Sequence, residues 1–242
     1  MLTIHDKPIV SPPVKRLVTT AEASAWRGLC WRKMDGEFAT ATFRAPSGGG
    51  KGGLIADLQV EIMRKRSGGI YTPSDLGKFE RYGVWHAITD VLSVDGLDIW
   101  NDPTRRRWHY ARLVESLLRA SDGVFLADCG CGGEFAEKCL ADGGEGAVFK
   151  DANAGYGAML AVKGTWEGVL EVYDVTGTQS VGIRDPISKQ PRGRCKLGGG
   201  KCDRVKEGSL IKIMGLCITD DGKVREPRAD NTSGGESWLV KL

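Results

Sequence analysis

The sequence predicts an α+β chain in which a mixed domain over about residues 1–164 precedes a small β-barrel over about residues 165–242. Two observations carry this. Up to about residue 163, strand-like alternation is interleaved with short amphipathic helical patterns. From about residue 168 the helical period vanishes, and short strand-like runs (168–174, 179–184, 209–218) alternate with Gly, Asp and Pro turns, the texture of a small barrel. The 34 glycines favour a strand- and loop-rich chain over a helical bundle. A boundary falls near residues 164–167.

In order, Thr19-Thr20-Ala21-Glu22 has capping-box form and opens a short helix through Trp26. Residues 28–34 and 37–43 read as strands flanking an Asp35-Gly36 turn. Residues 45–53 form a Gly-rich stretch that lacks G-x-x-x-x-G-K-[ST] and reads as a hairpin connection rather than a phosphate loop. Residues 54–63 alternate as a strand, with Glu61 near its end. Thr72-Pro73-Ser74-Asp75 opens a helix with proline at its first position. Residues 84–94 form an apolar strand interrupted by Asp90 and ended by Asp95-Gly96. Over 104–119, Trp108, Ala111, Val114, Leu117 and Leu118 share one face of a helix that begins with Arg105-Arg106-Arg107. A strand over 123–128, a helix over 134–141 and strands over 146–150 and 158–163 complete the first domain.

Composition restricts the function classes. Hydrophobic content is 41% and charged content 27%, ordinary for a soluble globular chain. There is no run of about 18 apolar residues, and Met1 to Val10 is polar without a leader-like apolar core, so a cytoplasmic protein without a signal peptide or membrane partner is expected. Seven cysteines then read as reduced thiols. Cys129, Cys131 and Cys139, and Cys195 with Cys202, are candidate zinc ligands without the paired C-x-x-C spacing of a structural site.

The chemistry centres on Lys33-Met34-Asp35-Gly36. A lysine partly desolvated at a rigid strand end becomes a nucleophile when it loses its proton, and Asp-Gly supplies a tight turn to present it. Taken singly, this motif and its companions along the chain have bland readings as surface lysines and strand-end carboxylates. Those companions are, in order, Glu61, Asp90, then Glu145 and Lys150 at the two ends of one strand, then Lys163. A nucleophile, carboxylates to hold Mg²⁺ and further cations over phosphates are the parts that phosphoryl and nucleotidyl transfer require.

On these residues the chain resembles the ATP-dependent DNA ligase family, in a minimal two-domain form, within the covalent nucleotidyltransferases. Lys33-Met34-Asp35-Gly36 resembles its K-x-D-G motif. Asp57-Leu58-Gln59-Val60-Glu61 stands in the place of D-G-E-[LI], with only the Glu kept. Ile88 to Gly96 with the subsequent Arg-rich helix resembles F-D-[LIV]-L-x-[LV]-[DN]-G, and Glu145 to Lys150 matches E-G-[VIL]-V-x-K. Leu160-Ala161-Val162-Lys163 resembles K-x-K, and Arg225-Glu226-Pro227-Arg228 resembles R-x-P-R.

The resemblance implies a nucleotidyltransferase domain of ATP-grasp-like antiparallel sheets with helices, an OB-fold barrel, and a site in the cleft between them. It implies that Lys33 becomes adenylated. Lys33, Asp35, Gly36, Arg44, Glu61, Thr89, Glu145 and Lys163 contact ATP, and Glu61, Glu145 and Asp90 hold Mg²⁺ or Mn²⁺. It implies a monomer of bacterial or viral origin acting on nicked double-stranded DNA, or on a duplex containing RNA.

Several positions depart from the family. Phe38 replaces an Arg, leaving Arg44 as the nearest substitute. Thr89 replaces the aromatic that stacks on adenine. Ala147 replaces a branched residue on the opposite wall, while alternation turns Phe149 away. Ala161 replaces the first lysine of K-x-K, and the closing R-x-D-K is reduced to Arg228-Ala229-Asp230-Asn231.

Net charge is only +3, yet 184–206 carries eight basic residues against Asp185 and Asp203. With interleaved glycines this reads as a loop able to track a phosphate backbone, with Arg192, Arg194, Lys196, Lys201 and Arg204 as nucleic-acid contacts. Two alternatives stand beside a DNA ligase: an RNA ligase or capping-type enzyme, and a nucleic-acid-binding OB protein with a weakened transferase half.

Overall fold

The computed structural model describes residues 1–13, 15–18, 20–45, 53–66, 69–118, 123–157, 159–176, 179–197, 204–219, 221–229 and 239–240. It divides into two compact units, Met1–Lys65 with Ile70–Lys163, and Gly164–Leu242 with Arg66–Gly69. Thr19 of the expected capping box, residues 46–52 of the Gly-rich stretch, and Asp230 and Asn231 lie outside the described residues.

The first unit is built on two sheets. One has the order β1 (Leu2–Ile4), β4 (Glu37–Arg44), β5 (Ile55–Arg64), β6 (Val84–Val94) and β7 (Leu97–Asp98), with β8 (Val124–Leu126) also paired to β6. The other has the order β2 (Lys15–Leu17), β11 (Met159–Lys163), β10 (Gly146–Lys150), β3 (Leu29–Arg32) and β9 (Cys129–Cys131). The helices are α1 (Thr20–Ser24), α2 (Pro73–Tyr82), α3 (Thr104–Leu117) and α4 (Gly132–Ala141).

Period-two alternation decides which residues of β5 meet the core. Ala56, Leu58 and Val60 pack with Ala39, Ala41 and Phe43 of β4 and with Ala111 and Val114 of α3. Asp57, Gln59 and Glu61 are thereby sent to the opposite face. The pairing of β5 with β6 shifts register between Asp57 and Leu58 and again between Gln59 and Val60, irregularities that re-aim side chains. Trp31, Met34, Met63, Phe79, Trp85, Ala87 and Ala127 form a cluster drawn from both sheets and α2.

Helix α2 starts as expected. Thr72 accepts from the Asp75 backbone N–H, and Asp75 closes the capping box. Helix α3 buries Thr104, Arg107, Ala111 and Val114, whereas Leu117, expected on the inner face, is exposed. The face is rotated because Arg107 is drawn inward by the buried carboxylate of Asp90.

The second unit is a barrel. Strands β12 (Trp166–Asp174), β13 (Ser180–Arg184), β14 (Pro191–Lys196), β16 (Arg228–Ala229) and β15 (Leu210–Gly215) are neighbours in that order, and β15 pairs back to β12, closing the circuit; β17 (Leu239–Val240) adds to β15. Leu170, Val172, Val181, Ile183, Cys195, Ile211 and Ile213 fill it. Five strands closed in this order form an OB-fold barrel. Strand β14 corrects the expectation of a basic loop. Its charged side chains alternate with buried Cys195, so their outward positions are set by the ladder.

Candidate active site

Lys33 lies immediately after β3. Residues 33–36 do not make the expected hairpin turn, because β3 and β4 belong to different sheets and the segment is a crossover between them. Gly36 is needed for the close approach. A Cβ there would stand 2.8 Å from Met63 Sδ and 3.0 Å from Glu61 Cβ. Asp35 is buried and accepts from the Ile70 N–H at 2.7 Å, which fixes the end of the crossover.

Three adjacent strands bring together groups distant in sequence. Pairing of β10 with β3 places Ala147 opposite Arg32, and pairing of β10 with β11 places Gly146 opposite Lys163. The Lys33 N–H donates to the Gly146 carbonyl at 2.9 Å. Glu145, just before β10, is thus flanked by two lysines. Lys33 Nζ is 2.5 Å from Glu145 Oε2, and Lys163 Nζ is 3.3 Å from Oε1. Glu145 is 4% exposed, Lys33 14% and Lys163 23%, so the pair of cations faces outward from a buried carboxylate. Gly146 permits this spacing, since a Cβ would stand 2.0 Å from the Val162 carbonyl oxygen and its φ is +148°.

A pocket opens beside Lys33, with Trp31, Gln59, Glu61, Thr89, Val148, Lys150 and Met159 among its lining residues. Val148 forms the apolar wall on β10. Ala147, assigned to that wall from the sequence, instead packs behind it with Phe149, Cys30 and Ala136. Strand alternation accounts for the reversal, so a branched residue is present on this wall after all. Phe149, two residues along and so on the same face as Ala147, meets Trp26 at a tilt of 50° on that far side; it faces away from the pocket as expected, but alternation carries Ala147 with it. Thr89 lies on β6 and donates to the Gln59 carbonyl at 3.4 Å.

Below the pocket is an ion cluster whose extent the sequence does not disclose. Arg107 of α3 donates to both oxygens of Asp90, at 2.9 and 3.2 Å, and Lys150 Nζ reaches Asp90 at 3.0 Å and the Thr89 carbonyl at 2.7 Å. Burial alone would raise the Asp90 pKa, but Lys150 and Arg107 outweigh it and hold the carboxyl below its usual range. Asp90 is therefore held by two cations in the pocket floor, away from Lys33. Arg32, next to Lys33, forms a second buried pair with Asp75, at 2.6 and 2.8 Å, and also meets Asp128 at 2.9 Å. Lys150 closes the E-G-x-V-x-K motif read from the sequence, whereas Arg32 is not marked there; its position next to Lys33 is the available signal.

Arg44 does not join the site. It ends β4 at the strand's far end, exposed, about 23 Å from Glu37 at ~3.3 Å per residue. Phe38 pairs with Glu61 across β4 and β5. Of the carboxylates, Glu145 and Glu61 remain beside the pocket. Hard oxygen donors of this kind suit Mg²⁺, which takes one or two protein carboxylates together with substrate phosphates. The cysteines form no such set: among the described residues no group of three or more His, Cys, Asp or Glu is placed to hold a metal ion. Burial pushes the Cys30 and Cys129 thiols up to about 12 and Cys139 to about 11, which keeps them as thiols.

Comparison with solved structures matches this architecture along nearly the whole chain. A Lig E DNA ligase superposes with a TM-score of 0.63 at 13% identity, over 91% of this chain and 99% of that one. The ligase domain of LigD from M. tuberculosis gives 0.50 at 14% identity, over 96% and 98%. The chain has the DNA-ligase fold. In sequence, a probable DNA ligase of Streptomyces coelicolor is 35% identical over 109 residues, 43% of this chain and 21% of that protein. The chain thus matches about a fifth of the length of this relative. No family model matches.

In the OB barrel of this ligase fold, the predicted nucleic-acid residues fall on β14 and on the segment C-terminal to it. Arg192 donates to the Gly222 carbonyl at 2.8 Å and approaches Asp185 at 3.5 Å, and Arg194 pairs with Asp174. Lys196 is exposed, Arg204 is exposed beyond the strand, and Lys201 lies outside the described residues. Arg184 and Lys189 hold Glu171 from two sides, their hydrogen bonds pulling its carboxyl down to about 2. Part of the basic charge is thus already balanced within the barrel.

Among the described residues, no helix is long and apolar enough to cross a membrane.

Proposed function

We propose that this protein is an ATP-dependent polynucleotide ligase that seals 5′-phosphate/3′-hydroxyl nicks in duplex DNA through a covalent lysyl-AMP intermediate. The observation that carries the reading is the triad at the pocket mouth, in which Glu145 lies between Lys33 at 2.5 Å and Lys163 at 3.3 Å. The ligase fold and the Streptomyces relative support the choice of reaction.

In this reading Lys33 Nζ gives up a proton to solvent and attacks the α-phosphorus, while Glu145 stays ionised between the two lysines. An N–P bond forms, the α–β bridging P–O bond breaks and pyrophosphate leaves. Lys163 balances the negative charge that accumulates on the α-phosphoryl oxygens. The pocket walls from Val148, Met159 and Trp31 hold the base. Glu145 and Glu61 would hold Mg²⁺, which neutralises phosphate charge when bound. Asp90, Arg107 and Lys150 set the pocket floor and keep the β6 and β10 walls in register. AMP next passes to the 5′-phosphate of a nick, and attack by the 3′-hydroxyl expels it. The basic side chains on β14 and beyond, Arg192, Arg194, Lys196, Lys201 and Arg204, contact the polynucleotide backbone.

The test is a sealing assay with ATP and Mg²⁺ on nicked duplexes whose 3′ strand is either DNA or RNA. Sealing of the DNA nick supports the reading. Sealing confined to RNA, or sealing that survives Lys33→Ala, would overturn it.

A further inference from the structure

The pocket beside Lys33 contains a buried polar side chain that the proposed reaction steps do not use. Alternation along β5 places Gln59 on the same face as Glu61, two residues away, and both line the pocket. Gln59 is 3% exposed, and its side-chain oxygen has no hydrogen-bond partner among the described residues. Buried side-chain polar atoms nearly always have a partner, so an orphaned acceptor in a ligand pocket marks a place where the ligand supplies one.

The neighbouring side chains are engaged elsewhere and do not satisfy this oxygen. Asp90 is the residue opposite it on β6 and is taken by Arg107 and Lys150, and the hydroxyl of Thr89, at the register shift next to Asp90, is engaged with the Gln59 backbone carbonyl. Nearby, Lys150 is committed to Asp90 and to the Thr89 carbonyl, so it does not compete for the Gln59 oxygen.

An acceptor selects a donor. Adenine carries a 6-amino donor next to ring-nitrogen acceptors, whereas guanine and hypoxanthine carry a 6-oxo acceptor at the same position. A glutamine carboxamide pairs with adenine by accepting from the 6-amino group while its own NH₂ donates to the adjacent ring nitrogen. We propose that Gln59 is the specificity-determining residue that reads the 6-amino group of the adenine base, taking over by edge recognition part of what a stacking ring at position 89 would supply. This assignment rests on the nucleotidyl-transfer reading of the pocket.

The test separates base recognition from covalent chemistry. Equilibrium binding of ATP and of inosine triphosphate is measured by calorimetry on the Lys33→Ala protein, which cannot form the covalent bond. ATP is expected to bind about 10- to 100-fold more tightly than inosine triphosphate. Adding Gln59→Leu is expected to bring the ratio to within about threefold of unity by weakening ATP binding. Equal affinities in the Lys33→Ala protein, no binding of either nucleotide, or a preference that survives Gln59→Leu would each overturn the proposal. The first comparison needs no change at Gln59, so it stands whether or not Gln59→Leu folds. In parallel, the unmodified protein is incubated with α-labelled ATP and α-labelled inosine triphosphate. Equal labelling by both removes the Gln59 assignment and keeps the covalent reading. A tenfold preference in binding without any labelling keeps Gln59 and removes the covalent step.

Discussion

Glu145 is the residue on which the site geometry depends, because its two oxygens address two different lysines. Replacing it with Gln keeps the shape but removes the charge that orients Lys33 and Lys163. Glu145→Gln and Lys163→Ala are each expected to lower the rate of protein labelling by α-labelled ATP by about 10²- to 10³-fold, the usual effect of losing one electrostatic contributor. Single-turnover labelling kinetics check this, and rates within threefold of the unmodified protein would count against both roles. The identities of Lys33, Glu61, Glu145 and Lys163 are legible in the sequence because the chemistry demands those residue types in that order. Their separations are not, since the distance from Lys33 to Glu145 is set by strand pairing between segments 112 residues apart. Gln59 is legible only as a lost family position, because an unpartnered amide can be recognised only when its surroundings are known.

The buried pair of Arg32 and Asp75 belongs to the same scale. Asp75 serves both as the N3 member of the α2 capping box and as a bidentate partner for Arg32. Burial raises the Asp75 pKa, but the Arg32 hydrogen bonds and charge overcome this and leave it depressed. A depressed carboxylate contributes stability that is complete above its unfolded pKa of about 3.9 and is lost as pH falls through the folded value. Asp75→Asn is expected to cost about 3 kcal/mol at pH 7, the low end for breaking a buried pair, since Arg32 loses its bidentate partner and keeps only Asp128. The difference between the two proteins should shrink as pH is lowered below about 4. Urea melts over that range decide it, and a pH-independent difference would contradict the linkage.

At the scale of elements, the two glycines of the motifs act by contact rather than by flexibility. Gly146 has a carbonyl where its Cβ would be, while Gly77, in the interior of α2, has open space around that position. Gly146→Ala is therefore expected to destabilise the fold by on the order of 3 kcal/mol, and Gly77→Ala to stabilise it by about 0.5–1 kcal/mol. Thermal melts of both variants provide the comparison. Strands β6 and β10 can be read from the sequence to the residue, because long apolar alternation and a glycine-led strand are strong local signals. The crossover after Lys33 reads as a hairpin in sequence because Asp-Gly serves both purposes locally, and only the sheet membership of β3 and β4 distinguishes them. Strand β14 reads as a basic loop because its sequence, Pro191-Arg192-Gly193-Arg194-Cys195-Lys196, has a single apolar residue facing the barrel.

At the scale of the whole molecule, a net charge of +3 conceals a basic strand in the barrel that is partly balanced by Asp174 and Asp185, while Glu171 balances Arg184 and Lys189 nearby. Binding to nicked DNA is therefore expected to weaken with salt, with a log–log slope that becomes shallower by about 0.9 for each phosphate contact removed. An Arg192→Ala, Lys196→Ala, Arg204→Ala protein should show a slope shallower by about 2–3 than the unmodified protein. An unchanged slope would place the backbone contacts elsewhere. The loss of helical periodicity near residue 168 lies close to Gly164, where the main segment of the second compact unit begins.

The central claim is that Lys33 is the nucleophile. Its most direct test is incubation of the protein with ATP and Mg²⁺, then digestion and mass analysis of the peptide containing Lys33. The account predicts one AMP on that lysine through an acid-labile, base-stable N–P bond, and none in the Lys33→Ala protein. AMP found on another residue, or an unmodified Lys33 peptide when ATP is bound, would contradict it.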